Sequence, residues 1–309
     1  MSELPGPPWI VFPRSAPDLD GVACAYAYAE LLSMTGRPAR PWIHGRPDAE
    51  ARYALSYAGA TPPDASELLA EAALAYVLVD ASGLEGLPPG RAPDRIVEVI
   101  DHRPAPNVQR LFPNARCTID LVGAAATLVA ERFHEAGVRP SRSAALLLQG
   151  AIYSNTLSLK GAVTTPRDHA MEVWLKSIAP LAPSEIAAQF AARRDEVLAD
   201  LPAATARELK TFDHPEGSFG IAQLELPDIA GLVVSQRAAL AEILAARSRL
   251  AFNLVDPVAA RSMLLAIDPQ LQALLTRALA TKFDGWAASF APGLLRKQIT
   301  AAIFATGSG

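Results

Sequence analysis

Cysteine is nearly missing from this chain: Cys24 and Cys117 are the only two in 309 residues. That argues against a disulfide framework and against a thiolate zinc site. Positive charge is not in excess. Twenty-eight Lys and Arg against 32 Asp and Glu give a net charge of −4, so no basic surface points to nucleic acid. No run of about 18 uncharged apolar residues occurs, and no transmembrane helix is expected. Met1 to Pro8 lacks the apolar core of a signal peptide. Internal repeats and low-complexity tracts are missing too. The expectation is a cytoplasmic protein with neither a nucleic-acid nor a membrane partner. Gly307-Ser308-Gly309 carries no weight in this reading. What the chain does have is apolar mass: half of its residues are hydrophobic, enough for sizeable cores. Its length suits two domains better than one.

Strand and helix signals alternate. Trp9-Ile10-Val11-Phe12 reads as a first strand, Val22 to Ser33 as a helix, and Pro41 to His44 as a short second strand. Ala49 to Tyr57 and Ala65 to Ala73 are helical candidates. Tyr76 to Val79 and Arg95 to Ile100 are apolar strands. Helices are expected over Val122 to Ala136 and Ser143 to Tyr153, and one should start at Thr165-Pro166, with proline at the first helical position. The alternation predicts a parallel sheet covered by helices on both faces. Past Leu181 the character changes. Ser184 to Leu201 reads as a charged amphipathic helix, and a smaller α/β unit follows. Its strands are Phe219 to Leu226 and Leu250 to Val255, and its helices Ser235 to Arg247 and Pro269 to Ala280. The expected division is a first domain over 1–185, a helical linker over 186–200 and a second domain over 201–309.

Three strands end in acid. Phe12 leads to Pro17-Asp18-Leu19-Asp20, Val79 to Asp80, and Ile100 to Asp101-His102-Arg103-Pro104. The C-terminal ends of parallel strands face the crevice where open α/β sheets bind ligands. A lone Asp there is ordinarily a turn former or helix cap, but three strand ends of one kind ask for more. Asp18 and Asp20 lie two apart on a turn, so both can face one side. Carboxylates plus one imidazole, without thiols, suit Mn²⁺ or Mg²⁺. Such ions clamp phosphate and activate water. Lys210, Arg296 and Lys297 are candidate phosphate contacts, with Arg as a fork and Lys as a point charge. His44, His134, His169 and His214 have no acids patterned around them and read as structural.

With these residues in place, the chain resembles the DHH phosphoesterase superfamily. The branch is the one containing family II inorganic pyrophosphatases, exopolyphosphatases and prune-type proteins. The resemblance runs from about Trp9 to Ile299. Asp18-Leu19-Asp20 resembles the first motif, Val79-Asp80 the second and Asp101-His102-Arg103 the signature triplet. Ala151 to Thr156 with Thr164 to Asp168 is similar to the fourth motif. Glu208 to Phe212 is similar to the segment carrying a phosphate-binding lysine, and Leu295 to Gln298 to the C-terminal basic motif. The resemblance implies metal ligation by Asp18, Asp20, Asp80 and His102, with Asp101 supporting them; Asn155 remains a candidate ligand through its carbonyl oxygen, and the candidate catalytic residues are Asp80, Asp101, His102 and Arg103. It also implies phosphate binding by Lys210, Arg296 and Lys297, an active site in a cleft between the two domains, and room for a homodimer through the edge of the first sheet.

The motifs also depart from the family's pyrophosphatases. Arg14 stands where a metal-binding histidine opens the first motif. Arg103 replaces the second histidine of the signature, and Asn155 the bridging aspartate. Leu295 replaces an arginine, and Gly123-Ala124-Ala125-Ala126 lacks the small hydroxyl residues of a helix start, leaving Thr127. If both arginines point inward, the site gains about three positive units over a full DHH site. It then holds a cation less well and an anion better. The expected cofactor is therefore Mn²⁺ or Mg²⁺ in fewer or weaker sites than two, or none.

The leading expectation is a metal-dependent hydrolase of a phosphoanhydride or phosphoester, with pyrophosphate or short polyphosphate first by resemblance. Two alternatives stand beside it. One is a catalytically inactive relative binding a phosphate-bearing or other anionic ligand. The other is an enzyme with divergent chemistry on the same scaffold, using Arg14 and Arg103 as substrate clamps.

Overall fold

A computed structural model describes residues 8–61, 75–87 and 92–306. The helical candidate Ala65 to Ala73 and the closing Gly307-Ser308-Gly309 lie outside the described residues. The chain divides into two compact units. One runs to Leu159 and resumes over Val163–Gln189; the other takes Lys160–Ala162 and continues from Phe190.

The first unit is built on five strands: β1 (Trp9–Phe12), β2 (Ala39–Pro41), β3 (Tyr76–Val79), β4 (Ile96–Asp101) and β5 (Arg116–Ile119). All neighbours pair in parallel, in the order β2-β1-β3-β4-β5. Its described helices are α1 (Leu19–Met34), α2 (Ala49–Ala58), α3 (Val108–Leu111), α4 (Ala125–Glu135), α5 (Arg142–Asn155) and α6 (Pro166–Lys176). Alternate strand residues enter different cores. Val11, Val77, Val79 and Ile100 pack into the larger one with α1, α4 and α5. Ile10, Phe12, Tyr76, Leu78 and Val99 pack on the other side with Val108 and Phe112. Burial on both faces is why these strands read as apolar runs. The chain leaves β1 toward β2 and returns to β3 on the far side of β1. This reversal makes a topological switch point, and the β1 and β3 loops open there together.

Several boundaries differ from the sequence expectation. The second strand is Ala39–Pro41 rather than Pro41 to His44: β1 is matched from Trp9↔Ala39 to Val11↔Pro41. Proline is tolerated there because β2 is an edge. Helix α1 starts at Leu19, three residues early, because the Asp18 side chain accepts the Gly21 N–H and caps it. Asp20 therefore lies in the first helical turn. Asp18, the N-cap, stands just outside the helix, and both charges still act on Asp80. Asp18 stays 31% exposed at its side chain and Asp20 is fully enclosed. Helix α4 starts at Ala125, not Val122, because residues 122–124 are spent on contacts to the site. Helix α6 begins with Pro166 at its first position and a Thr165/Asp168 capping box.

Helix α7 (Pro183–Ala199) leads into the second unit, followed by α8 (Leu201–Glu208). The second sheet has the order β10-β9-β8-β7-β6, from β6 (Leu209–Phe212), β7 (Phe219–Glu225), β8 (Leu250–Asp256), β9 (Arg261–Ala266) and β10 (Ala287–Phe290). Only β7 and β8 pair in parallel. The helix expected over Ser235 to Arg247 is α10 (Arg237–Ala246), and a helix the sequence did not suggest, α9 (Ile229–Ser235), precedes it, the two bent by 80° at Gln236. Helices α11 (Pro269–Leu279) and α12 (Arg296–Thr306) complete the unit. Arg296 and Lys297 are thus the first turn of a helix. Among the described residues no single helix is long and apolar enough to cross a membrane.

Candidate metal centre

Asp20, Asp80 and His102 come together at the switch point, each offering a ligand atom within 4.8 Å of the others'. Asp80 follows β3 directly with a left-handed backbone, φ 52°. That conformation costs a non-glycine residue roughly 1 kcal/mol or more, and it persists because the Asp80 N–H donates to the Ile100 carbonyl at 2.8 Å. His102 follows β4. Its Nδ1 lies 3.1 Å from the Val122 carbonyl. A carbonyl only accepts, so Nδ1 carries the proton and Nε2 presents its lone pair. Nε2 lies 3.6 Å from Asp80 Oδ1 and 3.8 Å from Asp20 Oδ2. Both distances are below the roughly 4.2 Å that two metal–ligand bonds of about 2.1 Å can span.

Asp20 is held by a helix terminus. Its Oδ2 accepts the Ala125 N–H and its Oδ1 the Ala126 N–H, both at 2.8 Å. Ala124, at the N-cap of α4, has no side chain to cap with. Asp20 supplies that cap from 104 residues earlier in the chain, and the positive end of the helix favours its charge. Just before the helix, the approach of Asp168 to the backbone requires a glycine at position 123. A Cβ there would lie 2.4 Å from Thr156 Cγ2 and 2.9 Å from the Asp168 carboxyl. Asp168 is fully buried. It accepts the Gly123 N–H at 3.0 Å, the Thr127 hydroxyl at 2.6 Å and the Thr165 N–H at 2.7 Å. It ties the start of α6 to the start of α4. The sequence reading missed this role, although the Thr165-x-x-Asp168 spacing marks a capping box.

The other expected residues take distinct places. Asp101 has both oxygens engaged. Oδ1 accepts the His102 N–H at 2.7 Å and Arg103 Nε at 3.1 Å, and Oδ2 accepts the Ser82 hydroxyl at 2.7 Å. Arg103 also donates Nη2 to Asp80 Oδ1 at 2.9 Å and to the Asp80 carbonyl. Asp18 stands outside the three-ligand group: one oxygen caps α1 and the other pairs with Arg14 Nη2 at 3.2 Å. Asn155, the last residue of α5, places its amide nitrogen 2.5 Å from Asp20 Oδ2. It enters as a hydrogen-bond donor, because a carboxylate oxygen needs a donor opposite it. Lys210, Arg296 and Lys297 belong to the second unit. Lys210 is exposed on β6. The Arg296 guanidinium donates to the carbonyls of Glu208 and Ile221, so part of its fork ties the end of α8 to β7.

The electrostatics are those of a site short of cations. Burial, and then the charges of Asp18 and Asp20, push the Asp80 carboxyl well above the usual carboxylate range, with Arg103 opposing. Burial and the Asp18 charge also raise Asp20, while the α4 N–H groups of Ala125 and Ala126 act against them. Asp18 goes the other way. Burial would raise it, but Arg14, the Gly21 N–H and Arg103 together hold it below the ordinary value. Two carboxylates and a neutral imidazole form a hard-to-borderline donor set, which fits Mn²⁺ or Mg²⁺. Among the described residues this is the only such three-ligand group. Beside it, a cavity of about 390 Å³ is lined by Arg14, Ser15, Asp80, Ser82, Glu85 and Arg103, among others.

No family model matches the chain. Curated proteins do. A probable manganese-dependent inorganic pyrophosphatase of Streptococcus suis is 30% identical over 237 residues, 74% of each chain. The chain belongs to the manganese-dependent, family II inorganic pyrophosphatase family. A second member, from Bacillus velezensis, is 29% identical over 271 residues, covering 84% of this chain and 86% of that one. Solved structures agree on the fold. A Methanococcus jannaschii protein assigned to family II inorganic pyrophosphatases superposes with TM-score 0.66 at 21% identity, covering 97% of this chain and 99% of its own. An exopolyphosphatase-related protein of Bacteroides fragilis gives 0.51 at 11%, covering 97% and 93%.

Proposed function

We propose that this family II member is a divalent-metal-dependent hydrolase of pyrophosphate or short polyphosphate. The observation that carries the reading is the convergence of Asp20, Asp80 and the free Nε2 of His102 within 4.8 Å. The names of the relatives supply the substrate class and the metal, Mn²⁺ before Mg²⁺. An ion held by these three residues would supply an acidified water and would offset charge on the phosphoryl oxygens. The chain's own residues do the rest. Val122 and Asp101 fix His102 by its ring proton and its backbone. The N-terminus of α4 holds Asp20 still, and Arg103 holds Asp80, so the site needs little reorganisation during reaction. Arg14 and Arg103, with the hydroxyl of Ser15, line the adjacent cavity and offer donors to phosphate oxygens. Lys210, Arg296 and Lys297 are proposed as further phosphate-binding groups on the family resemblance.

One observation favours a second reading. Arg103 and Asn155 already donate to Asp80 and Asp20. A site so neutralised suits an inactive relative that binds a phosphate-bearing ligand through its arginines. Phosphate release from pyrophosphate and tripolyphosphate, with and without Mn²⁺, separates the two. The hydrolase reading expects Mn²⁺-dependent turnover at about 1 s⁻¹ or faster. It expects Asp80→Ala to lose roughly 10³-fold or more, about 4 kcal/mol of transition-state stabilisation. Undiminished turnover in Asp80→Ala, or none in the wild type, overturns it.

A further inference from the structure

We propose that the centre takes one divalent cation, on Asp20, Asp80 and His102, and that the guanidinium of Arg103 stands as its permanent second cation. The inference rests on the metal-dependent reading above and deepens it.

The ligand supply comes first. Four carboxylates crowd the switch point, yet two of them are spent. Asp101 has one oxygen on Ser82 and the other on Arg103 and the His102 N–H. Asp18 has one oxygen capping α1 and the other on Arg14. Among the described His, Cys, Asp and Glu residues, only Asp20, Asp80 and His102 bring three ligand atoms together. Asn155 adds no charge and turns its amide donor to Asp20.

The charge balance points the same way. Asp18, Asp20, Asp80 and Asp101 contribute −4; Arg14 and Arg103 contribute +2. The remainder is −2, the charge of one divalent ion. A second such ion would leave the centre at +2.

Position completes the argument. Asp80 Oδ1 is the shared atom, 3.6 Å from His102 Nε2 on one side and 2.9 Å from Arg103 Nη2 on another. The guanidinium bridges Asp80 and Asp101 as a cation between two carboxylates does. It stays charged at any working pH and is covalently fixed. Any metal sharing Asp80 from that direction must displace it. The Arg103 side chain is also 48% exposed and lines the cavity beside Asp80. The same group can therefore hold the ligand carboxylate and receive a phosphate oxygen.

The test is Mn²⁺ titration calorimetry on metal-stripped full-length protein, with electron paramagnetic resonance of the bound Mn²⁺. The expected wild-type result is one ion per chain with the spectrum of isolated Mn²⁺. The variant Arg103→His combined with Asn155→Asp restores an imidazole and a carboxylate. It is expected to bind two ions and to show exchange-coupled Mn²⁺ pairs. Two ions in the wild type overturn the inference and leave the hydrolase reading standing. So does a folded double variant, checked by circular dichroism, that still binds one. No binding in the wild type at millimolar Mn²⁺ overturns both. A third variant, Arg103→Gln, removes the charge while keeping a donor. It is expected to bind the first ion about tenfold more tightly, by relief of like-charge repulsion. Weaker binding instead makes Arg103 a mere strut and also overturns the inference.

Discussion

Glu98 on β4 and Asp80 directly after the neighbouring β3 are each almost out of solvent, at 5% and 1% exposure. Their surroundings differ. Glu98 Oε2 accepts the Tyr28 hydroxyl at 2.6 Å, and Oε1 accepts Arg132 Nη1 at 2.7 Å. Arg132 is anchored in turn on Thr118 at 2.7 Å and lies over the Tyr28 ring. One acid meets one guanidinium, and every oxygen has a donor. Around Asp80, four acids meet two guanidiniums and a histidine whose lone pair is turned inward. The first cluster is complete as folded, as buried ion pairs must be if they are to persist. The second, on the proposed reading, is completed by an added cation. The difference separates a structural ion pair from a binding site, although both are buried acids beside an arginine.

The two clusters should fail in opposite ways. Glu98→Ala leaves the Arg132 charge uncompensated and is expected to cost about 3–5 kcal/mol of stability, while Mn²⁺ affinity in the folded fraction stays near wild type. Denaturant melts and metal titration read both. A stable Glu98→Ala protein with lost Mn²⁺ binding would erase the distinction. Adding Mn²⁺ should do the reverse of such damage. At about a hundredfold excess over its dissociation constant the ion stabilises by roughly 2.7 kcal/mol, seen as a raised melting temperature, and Asp80→Ala should abolish the rise while Glu98→Ala keeps it. Gly123→Ala sharpens the contrast within the metal centre. Its Cβ collides with Thr156 and Asp168, so about 2 kcal/mol of stability is expected to go. Mn²⁺ affinity should fall with it, since α4 can no longer hold Asp20. Affinity unchanged would mean that the α4 terminus does not position that ligand.

The smallest effect belongs to an acid–arginine pair without burial. In the second unit Arg277 Nη2 donates to both oxygens of Glu216, at 2.6 and 2.7 Å. That hydrogen bond, with the nearby positive charge, holds the Glu216 carboxyl below its usual value of 4.5. A lowered folded value contributes stability that is present above pH 4.5 and lost as pH falls through the folded value. Arg277→Ala should move the Glu216 midpoint back toward 4.5 in a carboxyl NMR titration with little change in the melting curve. A midpoint that does not move removes the pair from the account.

The sequence made the strand-end acids legible because doubly covered parallel strands are apolar throughout, so the charged residue after Val79 and those after Ile100 stand out. It also exposed Gly123 to Ala126 as a helix start without a capping side chain. The partner that caps it, Asp20, is distant in the chain, and only the folded sheet brings the two together. The Glu98–Arg132–Tyr28 cluster was illegible for the same reason. Edge strands β5 and β10, four residues with one neighbour each, carry too little pattern to stand out, and β9, between β8 and β10, was missed as well. Helix α9 went unread because its seven residues, Ile229–Ser235, are too short for a helical period to show. Arg14 and Arg103 were visible as residues, but their direction was not. The structure turns both toward the acids, Arg14 onto Asp18 and Arg103 onto Asp80 and Asp101.

The most direct test is an anomalous diffraction map at the manganese edge from crystals grown with Mn²⁺. A single peak bounded by Asp20, Asp80 and His102 Nε2, with Arg103 still on Asp80 and Asp101, is the predicted result. A pair of peaks with Arg103 swung away, or no peak at the switch point, would contradict it.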